Sequence, residues 1–196
     1  MKKQLSVFSL VAVLLFNVSN AQAAVVGDFG IDAGASWGLG AAHSDSVTSR
    51  TINTISINAF PNYQLGDWRF GINGNLGFVG QNTDPVNVAN TNVKGTTLLF
   101  GVAAEYNLMS AWVFGAGFNF LGKYSLSENN TAGQSVSYKK PIGFFLKAGY
   151  YVCPMVSVDA SFSYVTYGTS STNSVDSDLT SKLKETNYAI GGTYHW

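Results

Sequence analysis

The sequence predicts an all-β protein, an eight-stranded antiparallel up-and-down transmembrane β-barrel. Three observations predict it. Apolar residues alternate with small or polar ones over long segments, the connections between segments alternate between tight and long, and aromatic residues gather at both ends of the apolar faces. Composition agrees, because 11% of the chain is charged against roughly 25% in an average soluble protein, too little to wet an exterior.

Residues 1–23 read as an export signal preceding a barrel domain at 24–196. Met1-Lys2-Lys3 supplies the positive start, Leu5 to Phe16 is almost wholly apolar, and Ala21-Gln22-Ala23 fits the small-x-small cleavage rule. A membrane-crossing helix is the alternative, but the apolar run is well short of the ~20 residues it needs. The single cysteine, Cys153, is far from the cleavage region, which disfavours a lipoprotein.

The first strand is expected at 28–40. There Phe29, Ile31, Ala33, Ala35, Trp37 and Leu39 share one parity, and Asp28, Gly30, Asp32, Gly34, Ser36 and Gly38 share the other. The second, 51–63, is less regular: Ile52 and Phe60 fall opposite Ile55, Ile57, Ala59 and Tyr63, and Pro61 interrupts it. In the third, 67–80, Trp68, Phe70, Ile72, Leu76 and Phe78 oppose Arg69, Gly71, Asn73, Asn75 and Gly77. The fourth is 94–106. In the fifth, 111–124, Trp112, Phe114, Ala116, Phe118, Phe120 and Tyr124 are expected outside, with Val113, Gly115, Gly117, Asn119 and Lys123 inside. The sixth, 137–150, carries Pro141 near its start, and the seventh and eighth follow at 155–167 and 184–196.

Gln64 to Gly66, Asn107 to Ser110 and Tyr151 to Pro154 are expected as tight turns. Ala41 to Arg50, Gln81 to Val93, Ser125 to Val136 and Gly168 to Leu183 are longer and rich in Ser, Thr, Asn and Asp. Short turns on one side and long loops on the other suit a membrane barrel, and in hydrocarbon only a closed sheet satisfies every backbone amide. Phe29, Trp68, Phe70, Tyr106, Trp112, Phe114, Tyr150, Tyr194 and Trp196 would form a girdle near the turns. Trp37, Phe78, Phe120, Tyr124 and Tyr164 would form a second toward the loops. A soluble lipocalin-like barrel would hide its apolar parity, yet the parity carrying Arg69, Glu105, Lys147 and Asp159 is here the glycine-rich one, which suits a narrow polar interior.

On these residues the chain resembles the small outer-membrane barrels of Gram-negative bacteria, such as the OmpA transmembrane domain and OmpX. The resemblance implies localisation in the outer membrane, contact with outer-membrane lipids and lipopolysaccharide, and delivery by the barrel-assembly machinery. In that family a terminal aromatic strand forms part of the assembly signal. Gly191, Tyr194 and Trp196 match it, although Ala189 stands where a polar residue is common.

Function is constrained mainly by exclusion. Removing Lys2 and Lys3 from eleven Lys+Arg leaves nine against eleven Asp+Glu, with no basic patch for nucleic acid. One cysteine allows no internal disulfide, and two histidines without a ligand spacing disfavour zinc, so neither metal nor cofactor is expected. His43-Ser44-Asp45-Ser46 holds a base, a hydroxyl and a carboxylate, but adjacent residues rarely point at one another. His195 reads as an inward lumen histidine. Asn129-Asn130-Thr131 has glycosylation spacing without a context to use it. The Ser/Thr/Asn-rich loops suit an extracellular ligand but name none.

An eight-stranded barrel has an interior about wide enough for side chains. The expected role is therefore non-enzymatic, structural or surface-interacting, with a narrow pore for ions or small solutes as the second reading and a lipid-modifying enzyme as the third. The lumen is expected to close near the turns through two ion pairs, Arg69 with Glu105 and Lys147 with Asp159, each placed by nearly matched distances from the strand ends.

Overall fold

The structure, a computed structural model, describes residues 28–44, 47–82, 93–127, 135–172 and 175–196. The expected export signal at 1–23, Asp45, Ser46 and Asn129–Thr131 lie outside them. Eight strands run in chain order: β1 (Asp28–Ser44), β2 (Val47–Leu65), β3 (Trp68–Asn82), β4 (Val93–Leu108), β5 (Trp112–Ser127), β6 (Ser135–Cys153), β7 (Val156–Thr172) and β8 (Val175–His195). Each pairs antiparallel with its neighbour, and β1 closes onto β8 from Asp32↔His195 to His43↔Lys184. No edge remains exposed, so the backbone groups of the wall are paired within the sheet.

The strands are 15 to 21 residues long, beyond the ~9–11 that cross a bilayer. The excess lies at the loop end. Most of the stretch expected as a loop at 41–50 is hairpin, since β1 runs to Ser44 and β2 starts at Val47. The alternation fades there in a sequence of Ala, Ser and Thr, while the hydrogen-bond ladder continues.

At the opposite end the turns are tight. Met109 and Ser110 both have positive φ, at 53° and 55°, and Ala111 N–H donates to Leu108 O at 3.1 Å. Two positive-φ residues make this a type I′ turn, whose twist suits a hairpin. The β6–β7 turn is Pro154-Met155, because Cys153 pairs with Val156 and a bulge at Val152 shifts the register.

The outward parity is apolar. Phe29, Trp37, Ile55, Trp68, Phe70, Ile72, Trp112, Phe114, Phe118, Phe144, Val158 and Ile190 are all exposed. Near the turns the outward aromatics pair across strands: Phe29 with Tyr63 at 5.2 Å, Trp68 with Tyr106 at 4.9 Å and Trp112 with Tyr150 at 5.0 Å. The irregular second strand is explained by its interior. Ile52 and Phe60 are buried in the lumen while Ile55 and Tyr63 face out, and Pro61 is an exposed residue with no pairing to β3.

One expected girdle residue lies on the other face. Tyr124 is 0% exposed and sits inside the barrel, whereas Lys123 is exposed. The cause is a bulge in β5: Gly101 pairs with Asn119 but Phe100 pairs with Leu121, so Phe120 and Leu121 both face out and the parity inverts beyond them. Gly122, at φ 138°, supplies the backbone conformation that a side chain would resist.

Candidate functional site

The lumen has three levels. At the turn end Arg69, the second residue of β3, points inward and is 4% exposed. Its Nη1 donates to Asp32 Oδ2 at 2.7 Å and lies 2.7 Å from His195 Nδ1. Its Nη2 donates to Asn107 Oδ1 at 2.7 Å and to the Tyr151 hydroxyl. Tyr151 in turn donates to Asn107 Oδ1 at 3.0 Å and packs its ring 5.0 Å from that of His195. Asp32 and His195 are direct cross-strand partners, so β1 and β8 close the barrel at the level where Arg69 reaches across.

Of the two expected ion pairs, Arg69 with Glu105 forms and Lys147 with Asp159 does not. Arg69 and Glu105 are direct register partners, but their nearest atoms, Nη2 and Oε2, are 3.9 Å apart, and the shorter ion pair of Arg69 is with Asp32. Lys147 pairs with Glu105 rather than with Asp159. The bulged β6–β7 turn sets Lys147 opposite Ser161 and Asp159 opposite Gly149, two residues from the expected register. Glu105 and Lys147 meet across β5 because Gly115 separates them; a Cβ there would stand 3.2 Å from Glu105 Cγ and 3.5 Å from Lys147 Cβ. Asp159 instead accepts from Ser157 Oγ at 2.7 Å and from Thr193 Oγ1. Asp32, absent from the expected pairs, stands on the inward parity of β1; its inward carboxylate was the available signal, but β2 separates it from Arg69.

Asp32, His195 and Ser157 resemble a catalytic triad in composition, with His195 Nδ1 3.1 Å from Asp32 Oδ1 and Nε2 2.9 Å from Ser157 Oγ. The hydrogen bonds assign the opposite tautomer. Asp32 Oδ1 receives no hydrogen bond, while Arg69 Nη1 lies at hydrogen-bond distance from Nδ1, which makes Nδ1 the acceptor. Nε2–H then donates to Ser157, whose own proton goes to Asp159. A histidine that donates to the hydroxyl cannot take its proton, and Ser157 is 0% exposed. Asp32, Glu105 and His195 also bring ligand atoms within 4.8 Å of one another, a spacing that suits a metal. The Arg69 guanidinium already stands among them, and a second cation there would be repelled.

Above this network is a polar cavity of about 120 Å³, bordered by Ser56, Asn58, Asn73, Asn75, Asn119 and Ser161 among others. A polar space of that size accommodates several waters. Above it, toward the loops, Ile52, Val79, Leu99, Tyr124, Leu126, Val165, Tyr167 and Leu183 form a buried cluster across the lumen. Tyr124 and Tyr167 are fully buried, with rings 5.9 Å apart, and Tyr138 packs on both.

The remaining predicted positions lie apart from the network. Tyr194 and Trp196 pack with tilted rings, centroids 4.3 Å apart, at the turn end, where Tyr194 donates to Met155 Sδ at 3.4 Å and the Trp196 backbone N–H donates to Ile31 O at 3.3 Å. Gly191 is on the inward parity of β8, opposite Ser36. His43 is exposed at the loop end opposite Lys184, and Cys153 is an exposed free thiol beside the β6–β7 turn.

This architecture defines the class: a closed eight-stranded antiparallel barrel with an apolar outside and a polar inside, the fold of small outer-membrane barrels. Among solved structures it is similar to neisserial surface protein A (NspA), with a TM-score of 0.59 and 20% identity over 85% of this chain and 96% of that one. It is also similar to Ail, the attachment invasion locus protein of Yersinia pestis, solved in complex with the heparin analogue sucrose octasulfate, at 0.54 and 13% over 86% and 99%. OprG from Pseudomonas aeruginosa matches at 0.52 and 10% over 86% and 95%. No family model matches the chain, and no curated protein sequence matches it.

Proposed function

We propose that the chain is an integral outer-membrane barrel with a sealed lumen, exported by a cleaved signal and acting through its wall and loop end in a structural or surface-interaction role. The observation that carries this reading is the double closure. A charged network crosses the turn end and a tyrosine-rich cluster crosses the loop end, with a small polar cavity between them among the described residues. Neither a through-channel nor a reactive serine fits that interior. The turn end would face the periplasm, where outward Tyr194 and Trp196, with Gly191, serve as the signal read by the barrel-assembly machinery.

Density fractionation of cells expressing the full chain, with mass spectrometry of their lipid A, tests the proposal. The protein is expected in the outer-membrane fraction with lipid A unchanged. Recovery in the soluble fraction, or a new lipid A species, would overturn it. Trp196→Asp should lower outer-membrane insertion while leaving export intact; normal insertion would remove the assembly role.

A further inference from the structure

The loop-end side of the polar cavity carries a carboxylate without a cation. Glu185, on β8, is 6% exposed and borders the cavity. Its Oε2 accepts from the Tyr167 hydroxyl at 3.0 Å, and among the described residues no ion pair includes it. Lys147, the cation that borders the same cavity, is held by Glu105. An ionised carboxylate this far from bulk water is costly unless a positive charge neutralises it, and one hydrogen bond from a tyrosine does not do that.

Two further oxygens beside it lack partners. Thr54, 2% exposed on β2, and Asn187, two residues along β8 from Glu185, border the same cavity; Thr54 Oγ1 and Asn187 Oδ1 are buried without a hydrogen bond. Glycines bring the two together. Gly38 on β1 is the direct register partner of Thr54, and Asn187 Oδ1 lies over it, 2.6 Å from where a Cβ would stand. On the other side of Thr54, its methyl fills the space left by Gly77, 3.1 Å from where a Cβ would be, which turns the hydroxyl away from β3. Glu185 and Asn187 share the inner face of β8, since alternate strand residues point the same way. Buried polar atoms normally find partners, and water would satisfy the hydroxyl and the amide but leave the charge of the carboxylate uncompensated.

We propose that Glu185 Oε1, Asn187 Oδ1 and Thr54 Oγ1 hold a monovalent metal cation, sodium or potassium, in the cavity, with water completing its shell. An all-oxygen set suits a hard cation. One carboxylate with two neutral oxygens balances a single positive charge, whereas calcium gathers roughly six to eight oxygens, several of them from carboxylates. The ion enters as the barrel folds. This site does not depend on where the barrel resides, so its failure would leave the outer-membrane reading intact.

Full-length chain refolded in detergent is unfolded with urea in sodium, potassium or choline chloride at one ionic strength. A tenfold rise in sodium or potassium, balanced by choline, should raise the ratio of folded to unfolded protein by roughly 3- to 10-fold, tenfold being the limit for one ion. E185Q keeps an acceptor for Tyr167 and should fold but lose the dependence. T54V, which keeps the shape without the hydroxyl, should weaken it, and D28N, which alters an exposed carboxylate at the turn end, should leave it unchanged. Equal stability of wild type in choline and in both salts, the result if Glu185 simply carries a proton, would overturn the proposal. So would an undiminished dependence in E185Q, or a larger response to calcium than to sodium or potassium. The ion series on wild type needs no variant.

Discussion

The two ends of the lumen solve one problem with opposite chemistry. At the turn end Arg69, Asp32, Glu105, Lys147 and His195 form a connected polar network; at the loop end Tyr124, Tyr167, Ile52, Val79 and their neighbours form a mainly apolar cluster with one acid at its border, Glu185, which accepts from the Tyr167 hydroxyl at 3.0 Å. The difference follows the backbone. The turn-end half of β5 keeps strict alternation, so small and polar residues fall inside, whereas beyond the bulge at Phe120-Leu121 the parity inverts and brings Tyr124 and Leu126 inward. The two closures should also fail differently. A buried ion network contributes little net stability but suffers when one partner is lost, while an apolar plug loses stability in proportion to what is removed.

The largest effect is expected at Arg69. Arg69→Met should destabilise the folded barrel by about 3–5 kcal/mol in urea titrations, because it leaves Asp32 buried without its cation and Glu105 with Lys147 alone. Adding Asp32→Leu should recover part of that loss; a double change worse than the single would show that the network is not coupled. Tyr124→Ala should cost about 3 kcal/mol by cavity formation, and pairing it with a second plug truncation should bring no recovery. Recovery there would erase the contrast between the ends.

Lys147→Met is expected to cost about 1–3 kcal/mol. Glu105 then keeps only Arg69, at 3.9 Å, and the same titration compared with Lys147→Met/Glu105→Gln isolates the pair. Ser157→Ala should be smallest, at about 1 kcal/mol, since Asp159 still accepts from Thr193. A loss as large as that at Arg69 would make Ser157 the hub instead.

The strands and their order were legible because a half-buried strand in lipid leaves a strong period of two, as in Asp28 to Gly40 or Trp68 to Gly80. The strand extensions were not, since runs rich in Ser, Thr and Asn carry no period of two. The position of Tyr124 was hidden by a single extra residue in β5, marked in the sequence only by the adjacent apolar pair Phe120-Leu121 and by Gly122. The inward parity identified Arg69, Glu105, Lys147 and Asp159 as lumen residues, but partners depend on register. A β6–β7 turn placed at Pro154-Met155 set Lys147 opposite Ser161 rather than Asp159, and Gly115 opened its path to Glu105. Contacts across the lumen, such as Asp32 with Arg69 past β2, follow no adjacency that a sequence displays.

Conductance in planar bilayers tests two closures in series most directly, using wild type, Arg69→Ala, Tyr124→Ala and the double variant, each first shown to be folded. Wild type and both single variants should show no steady current, because the remaining closure still blocks the lumen, and the double variant should conduct. A steady ohmic conductance in wild type, or a double variant that stays silent while folded, would contradict the account.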